Sequence, residues 1–249
     1  MTQPEPFESS VTPLIRGTAV IGRLLAQVVT RVRVEGDLAS IPTEGPVILA
    51  SNHVSNLDGV ILGAWLVPVI PRRIHWLGKK EMFDWPVIGY IARNGGVHPV
   101  DRGGADVESF RLAQRILEGG GVLLIFPEGT RSRDGRLQEA RDGLAMLALR
   151  TGAPIVPIGI ADSDRVWPRG QKLPRPRPGS RVTVRVGSPF LLADELPADL
   201  DRRTAKRQAT ELIMRRIAAV LPERQHGAYG AGAAAGGGAG DAAVDGSSG

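Results

Sequence analysis

Short apolar runs alternate with longer helix-like segments along most of this chain, and this alternation limits the possible folds more than any other feature. Such an alternation is typical of βα units built on a parallel sheet. We therefore predict an α/β fold, a single domain with a mostly parallel sheet flanked by helices. The predicted strands are residues 46–50, 73–77, 96–100, 122–126, 155–160 and 181–186, and the predicted helices are 57–65, 81–93, 106–117, 140–150 and 201–220.

Composition divides the chain into three parts. Its 249 residues are 42% hydrophobic, which is enough for one core of ordinary size. The α/β domain is expected at residues 34–222, after an N-terminal segment at 1–33. Glycine and alanine dominate the end of the chain, so we expect 223–249 to be a disordered tail that cannot bury a core.

The first predicted strand leads into a segment that reads Asn-His-Val-Ser-Asn-Leu-Asp at 52–58. On one continuous helix His53 and Asp58 would point ~140° apart, so they can meet only if a turn separates the strand from the next helix. With Asn56 as N-cap, Asp58 falls in the first helical turn, where free N–H groups favour a carboxylate. Asp58 could then orient His53 as a general base. The alternative is a turn histidine beside an ordinary helix-start acid.

Charged side chains also follow three other predicted strands. Lys79 follows the second strand, Arg102 follows the third, and a turn rich in proline and glycine after the fourth carries Glu128 and Arg131. Ligands of open α/β sheets bind beyond the carboxyl ends of the strands, so these groups are expected to converge with His53 on one site. Taken alone, Glu128 and Arg131 fit a structural ion pair equally well.

These blocks, in this order, resemble the glycerophospholipid acyltransferase family, whose best-known members are the lysophosphatidic acid acyltransferases. The resemblance extends from about residue 34 to 186. It rests chiefly on the complete first block and on Phe-Pro-Glu-Gly-Thr-Arg-Ser, which are specific when both occur in order. The matching segments are 52–58, 96–102, 126–132 and 153–158.

The resemblance implies a role for each matching residue. His53 would take the proton from a glycerol hydroxyl and Asp58 would orient it. The hydroxyl would then attack the thioester of acyl-CoA or an acyl carrier protein, with no cofactor and no covalent acyl-enzyme. The implied acceptor-binding residues are Arg102 and Arg131 on the phosphate, Lys79 near it, Glu128 on the glycerol backbone, and Gly129 and Thr130, which complete the same block.

The implied reaction converts 1-acyl-glycerol-3-phosphate, a lysophospholipid, into phosphatidic acid. Glycerol-3-phosphate or another lysophospholipid is an alternative acceptor, and a lipid-binding module without turnover is the non-enzymatic alternative. The intact His53 and Asp58 argue against that module, because binding alone needs no base. The chain departs from the family pattern at 140–143, where Arg141 keeps a cation but Asp142 is expected to neutralise part of it.

Residues 10–31 carry apolar side chains at helical spacing, interrupted by arginines. A membrane-spanning helix needs roughly 20 mostly apolar residues, which this segment lacks. We expect an amphipathic helix at the membrane interface, with Arg16, Arg23, Arg31 and Arg33 towards anionic lipid headgroups. The alternative is a helix packed on the sheet.

Charge and cysteine content narrow the remaining possibilities. The net charge is +5, and a second basic stretch lies at 165–181. It lacks interleaved aromatic residues for base stacking, since Trp167 is its one aromatic side chain, so anionic lipid is favoured as a partner and nucleic acid is not. The chain has no cysteine and no signal-peptide pattern, which predicts a peripheral membrane protein on the cytoplasmic face. Its four histidines form no cluster in sequence that predicts a metal site.

Overall fold

The computed structural model describes residues 10–100, 106–177 and 179–230. Within these ranges seven strands form one sheet in the order β1-β7-β6-β2-β5-β3-β4. The strands are β1 (Arg31–Gly36), β2 (Val47–Ser51), β3 (Ile74–Lys79), β4 (Val97–Val100), β5 (Val122–Ile125), β6 (Ile155–Ala161) and β7 (Arg181–Val186).

Five neighbouring strands, from β6 to β4, run parallel to one another. Strand β7 is antiparallel to β6, and β1 is parallel to β7. The prediction of an α/β fold with a mostly parallel sheet is therefore confirmed. Because the five parallel strands point the same way, the chain leaves their carboxyl ends at one edge of the sheet, where a ligand site is expected.

Helices cover both faces of the sheet. In the central strand β2, Ile48 and Ala50 face one core cluster while Val47 and Leu49 face the other, as the two-residue period of a strand requires. Residues of α1 and α2 belong to the second cluster, and residues of α4, α5 and α7 belong to the first. The helices are α1 (Pro13–Val29), α2 (Asp58–Leu66), α3 (Pro86–Asn94), α4 (Asp106–Glu118), α5 (Gly143–Thr151), α6 (Leu192–Glu195) and α7 (Arg202–Ala219).

The helix predicted at 81–93 is in fact two elements. A 3-10 turn, Lys80–Asp84, is followed by α3, and Trp85 between them is extended, with φ −83° and ψ 121°. Pro86 explains the break, because its ring disfavours a helical conformation at the preceding residue and suits the first position of a new helix.

Strand β1 was missed, and the predicted boundary between residues 33 and 34 falls inside it. Val32 and Val34 are half-buried against the core, and charged residues alternate with them. The sequence prediction counts Arg31 and Arg33 among the arginines of the amphipathic helix, although their alternation with valine is the period of a strand.

The end of the folded part lies beyond the predicted boundary at 222. The backbone N–H of Leu137 donates to the carbonyl of Gln225 at 2.9 Å, and Gln225 is buried. The backbone N–H of Ala140 donates to the hydroxyl of Tyr229 at 3.1 Å. Residues 223–230 therefore pack on the domain, and the rest of the predicted disordered tail lies outside the described residues.

Helix α1 is present, but its arginines are not arranged as predicted. The Arg23 guanidinium lies over the ring of Trp65 at 5.0 Å from its centroid, and Arg31 and Arg33 belong to β1. Several large apolar side chains of α1 are exposed instead. Across the described ranges, no helix combines the length and apolarity needed to cross a membrane.

Candidate active site

His53 and Asp58 meet in the turn that connects β2 to α2. The Nδ1 of His53 lies 2.8 Å from Oδ2 of Asp58, and their side chains are 19% and 0% exposed, respectively. A buried carboxylate beside Nδ1 favours the tautomer that carries its proton there. The Nε2 atom is then left as the basic nitrogen.

The turn differs from the prediction at the start of α2. Leu57, not Asn56, occupies the N-cap position and makes no side-chain cap. Asp58 reaches back, and its Oδ2 accepts the backbone N–H groups of Val54 at 2.7 Å and Ser55 at 2.8 Å. The carboxylate thus closes its own turn, which holds His53 beside it despite the five-residue separation.

An aromatic ring packs against His53 from the end of β5. The rings of His53 and Phe126 stack with centroids 4.1 Å apart and planes 16° from parallel. The contact restricts the imidazole to one orientation. Sequence reasoning treated Phe126 as the last residue of a strand and missed this role, which a linear motif does not reveal.

Glu128 links the β5 turn to the turn that carries His53. Its Oε1 accepts the backbone N–H of His53 at 2.7 Å, and its Oε2 accepts that of Gln138 at 2.9 Å. The backbone N–H of Ser132 donates in return to the carbonyl of His53 at 2.7 Å. Glu128 is only 4% exposed, and its contact with the glycerol backbone stays a prediction.

Burial changes the acidity of Glu128. Loss of hydration raises the pKa of this carboxyl to about 7 from an ordinary value of 4.5. The two backbone hydrogen bonds lower the pKa and so offset part of the effect of burial. Glu128 therefore changes its charge near neutral pH while it holds the backbone of His53.

Gly129 and Arg141 pack together in the next part of the turn. Gly129 has φ +66°, and a Cβ atom there would lie 2.9 Å from the Arg141 side chain. The left-handed backbone conformation favours glycine, and a larger residue would also have to displace the Arg141 side chain. Asp142 does not neutralise Arg141 as predicted, because it pairs with Lys206 at 2.8 Å and accepts a hydrogen bond from Thr210.

The remaining motif residues connect β2 to β6 and the turn after it. Asn52 donates through Nδ2 to the carbonyl of Ile160 at 2.9 Å and accepts the N–H of the same residue at 2.7 Å. Ser55 donates through Oγ to the carbonyl of Trp167 at 2.7 Å. Asn52 and Ser55 thus fix the loop in which His53 lies.

Comparison with known proteins places this site in a family. The family model described as Acyltransferase matches residues 31–161, more than half of the chain. The chain belongs to the Acyltransferase family. The matched range contains the His53–Asp58 pair and the whole Glu128 turn, so the family assignment and the geometry concern the same residues.

Curated relatives of this Acyltransferase chain carry more specific names. It is 34% identical over 151 residues to a 1-acyl-sn-glycerol-3-phosphate acyltransferase of Limnanthes douglasii, covering 59% of this chain and 51% of the relative. A chloroplastic protein of the same activity name, LPAT1 of Arabidopsis thaliana, is 30% identical over 145 residues, covering 57% and 39%. The chain thus spans about half of the length of the first relative and 39% of the length of the second.

The fold of this Acyltransferase chain also has a solved counterpart. It resembles the 1-acyl-sn-glycerophosphate (LPA) acyltransferase PlsC from Thermotoga maritima with a TM-score of 0.64 and 22% identity. The match covers 82% of this chain and 78% of that one. It supports the α/β architecture described above.

Three further predicted residues of the Acyltransferase site lie at the same sheet edge. Lys79 ends β3 with its side chain exposed, and Thr130 and Arg131 are half-buried in the β5 turn. The Arg131 carbonyl accepts a hydrogen bond from Arg169 at 2.9 Å. Arg102 lies outside the described residues, so its predicted place beside the acceptor phosphate stays a prediction.

Proposed function

We propose that the protein transfers a fatty acyl group from an acyl thioester to the free hydroxyl of 1-acyl-glycerol-3-phosphate and so forms phosphatidic acid. The observation that carries this proposal is the 2.8 Å contact between His53 and the buried Asp58 at the carboxyl ends of the parallel strands. The activity named for the curated relatives supports the choice of acceptor.

His53 acts as the general base in this proposal. Its Nε2 takes the proton of the acceptor hydroxyl while the hydroxyl oxygen attacks the thioester carbonyl carbon. When the tetrahedral intermediate collapses, the carbon–sulfur bond breaks and the imidazolium returns its proton to the departing thiolate. Asp58 keeps the imidazole aligned through Nδ1. Because the acceptor hydroxyl itself attacks the thioester, the acyl group passes directly to the acceptor without a covalent enzyme intermediate.

Selection of a phosphate-bearing acceptor is assigned to arginine and lysine side chains that follow the strands. We assign the acceptor phosphate to Arg131 and Arg102, with Lys79 nearby. A guanidinium matches phosphate oxygens with two parallel hydrogen bonds. The bond from Arg169 to the Arg131 carbonyl holds the Arg131 backbone in place. A phosphate fixed here would orient the distant hydroxyl before the chemical step.

An assay with several acceptors tests this assignment. Purified protein is given a labelled acyl thioester, on coenzyme A or on an acyl carrier protein, together with 1-acyl-glycerol-3-phosphate, glycerol-3-phosphate or lysophosphatidylcholine. We expect labelled phosphatidic acid to form fastest from the first acceptor. Faster transfer to glycerol-3-phosphate or to lysophosphatidylcholine would assign a different acceptor, and no transfer to any of them would refute the proposal.

The proposed enzyme acts as a peripheral protein on a membrane surface. Leu25 and Val28 of α1 are 62% and 78% exposed. Helix α3 contacts α1 and exposes Val87, and Trp85, just before α3, is exposed as well. Exposed apolar side chains on neighbouring helices are a feature of surfaces that enter the interfacial region of a bilayer. The lack of cysteine in the sequence favours the reducing cytoplasmic face.

Membrane association is expected to depend on the exposed face of α1. The double variant Leu25→Glu, Val28→Glu should reduce binding to anionic phosphatidylglycerol vesicles by at least roughly tenfold, because two apolar side chains lose their burial in lipid. Co-sedimentation with vesicles measures the effect. Leu149→Glu, on α5 at the other face of the sheet and 41% exposed, is the matched control. Equal losses of vesicle binding in both variants would contradict the proposal that the exposed face of α1 contacts the membrane.

A further inference from the structure

The hydroxyl of Ser163 contacts Asp58 from the turn that follows β6. Ser163 Oγ donates to Oδ1 of Asp58 at 2.5 Å, and both residues are completely buried. This distance is typical of a hydroxyl that donates to an ionised carboxylate. The contacts with His53, Val54 and Ser55 all go to the other oxygen, Oδ2.

The backbone around Ser163 fixes this donor. Asp162, just before it, has the left-handed conformation with φ 66°, and a 3-10 turn begins at Ser163. The carbonyl of Ser163 accepts the backbone N–H groups of Val166 at 3.1 Å and Trp167 at 3.0 Å. Because the Trp167 carbonyl accepts the hydroxyl of Ser55, one short segment contacts both Asp58 and the turn just before it.

Two other acidic groups, Glu128 and Asp164, lie near enough to Asp58 to be affected by its charge. Glu128 lies in the turn after β5, and Asp164 lies in the turn after β6. Burial is the main cause that raises the pKa of both carboxyl groups. The negative charge of Asp58 contributes to both increases. Within the described residues, the ion-pair partner of Asp58 is His53 alone, and only when the imidazole is protonated. The hydroxyl of Ser163, a neutral donor to Oδ1, therefore stabilises the ionised form of Asp58.

We propose that Ser163 is a positioning residue of the His53–Asp58 pair. This inference rests on the proposed acyl transfer. The hydroxyl holds Oδ1, so rotation of the carboxylate is blocked and Oδ2 stays opposite Nδ1 of His53. The same bond stabilises the negative charge of Asp58, without which Nδ1 has no fixed acceptor. Ser163 does not touch the reacting atoms and acts through Asp58.

The change Ser163→Ala tests the role. We expect kcat to fall roughly 10- to 100-fold, the range associated with a hydrogen bond to a charged group. The acidic limb of the kcat/KM profile should also move to higher pH. Asp58 has lost a hydrogen-bond donor that stabilises its ionised form, so the reactive state, with Asp58 ionised and His53 neutral, forms only at higher pH. Acyl transfer to 1-acyl-glycerol-3-phosphate, measured from pH 5 to 9, gives both quantities.

Two more variants separate the hydrogen bond from packing. Ser163→Cys fills the same space with a weak donor, so it should show the same pH shift and can replace the alanine variant if that variant is too unstable to assay. Ser180→Ala removes a serine whose Oγ donates to the Thr30 hydroxyl at 3.0 Å, away from Asp58. It should leave the pH profile unchanged.

Two outcomes would overturn the inference. One is a wild-type rate and profile in both Ser163 variants. The other is a loss of rate that is equal at every pH and follows a loss of thermal stability, which would make Ser163 merely structural. If His53→Ala is inactive while the Ser163 variants behave as wild type, only the inference fails. If His53→Ala retains wild-type transfer, the proposed function itself fails.

Discussion

Replacing His53 by alanine is expected to lower kcat for acyl transfer by about 10³-fold or more while the protein stays folded. General-base catalysis accounts for roughly 10² to 10⁴ of a rate enhancement, and here the stacked, hydrogen-bonded imidazole is the only such base assigned. The steady-state rate of phosphatidic acid formation from a labelled thioester measures the loss. Vesicle binding should not change, because the exposed face of α1 is untouched.

His226→Ala is the matched control for this variant. His226 lies near the end of the described chain, and its Nε2 is 3.0 Å from the carbonyl of Leu221, outside the proposed site. This variant should keep the wild-type rate. Similar losses in the two variants would show that removing a histidine damages the fold rather than the reaction.

Replacing Glu128 by glutamine is expected to destabilise the protein by about 1–3 kcal/mol at pH 5. The two oxygens of Glu128 accept the backbone N–H groups of His53 and Gln138. At pH 5 the wild-type carboxyl is protonated, but its hydroxyl oxygen can still accept the second N–H. An amide sets its own N–H₂ donor against that N–H, and an unsatisfied buried donor has a cost of this size. The free energy of unfolding in urea measures the change.

The destabilisation should depend on pH in a defined direction. Because burial raises the pKa of Glu128 to about 7, the folded protein holds a proton that the unfolded chain releases above about 4.5. The contribution of this proton to the free energy of unfolding is complete below pH 4.5 and is lost as the pH rises to about 7. The stability of the wild type relative to Glu128→Gln should therefore fall by about 3 kcal/mol between pH 4.5 and 8, which is enough to cancel or reverse the difference seen at pH 5.

Glu139→Gln provides the reference for this measurement, since Glu139 is exposed and close in sequence. It should show a small effect with no such pH dependence. If the unfolding free energies of wild type and Glu128→Gln differ by a constant amount over the same pH range, the raised pKa assigned to Glu128 is contradicted.

The sheet was largely predictable because its central strands are short, apolar and separated by helical patterns. The predicted strand at 181–186 coincides with β7, and the strand at 122–126 differs from β5 by one residue. Strand β1 was missed because three of its residues are charged, and its valines bury only one face. An edge strand of this kind lacks the continuous apolar run that marks a central one.

The site was predictable only where it is carried by a local motif. His53 and Asp58 are five residues apart, so a turn could be inferred between them and the structure shows their contact. Phe126 and Ser163 come from other strand ends, and their contacts with the pair depend on strand order. Glu128 matched a substrate-binding position by resemblance, but its burial against backbone N–H groups follows only from the packed turn.

The most direct test of the central claim is a single-turnover measurement, with enzyme in excess over a labelled acyl thioester and 1-acyl-glycerol-3-phosphate bound on anionic vesicles. Under these conditions product release does not limit the rate, so the chemical step is observed. We predict rapid formation of labelled phosphatidic acid by the wild type and at least about 10³-fold slower formation by His53→Ala. Equal single-turnover rates in the two proteins would contradict the claim that His53 is the base.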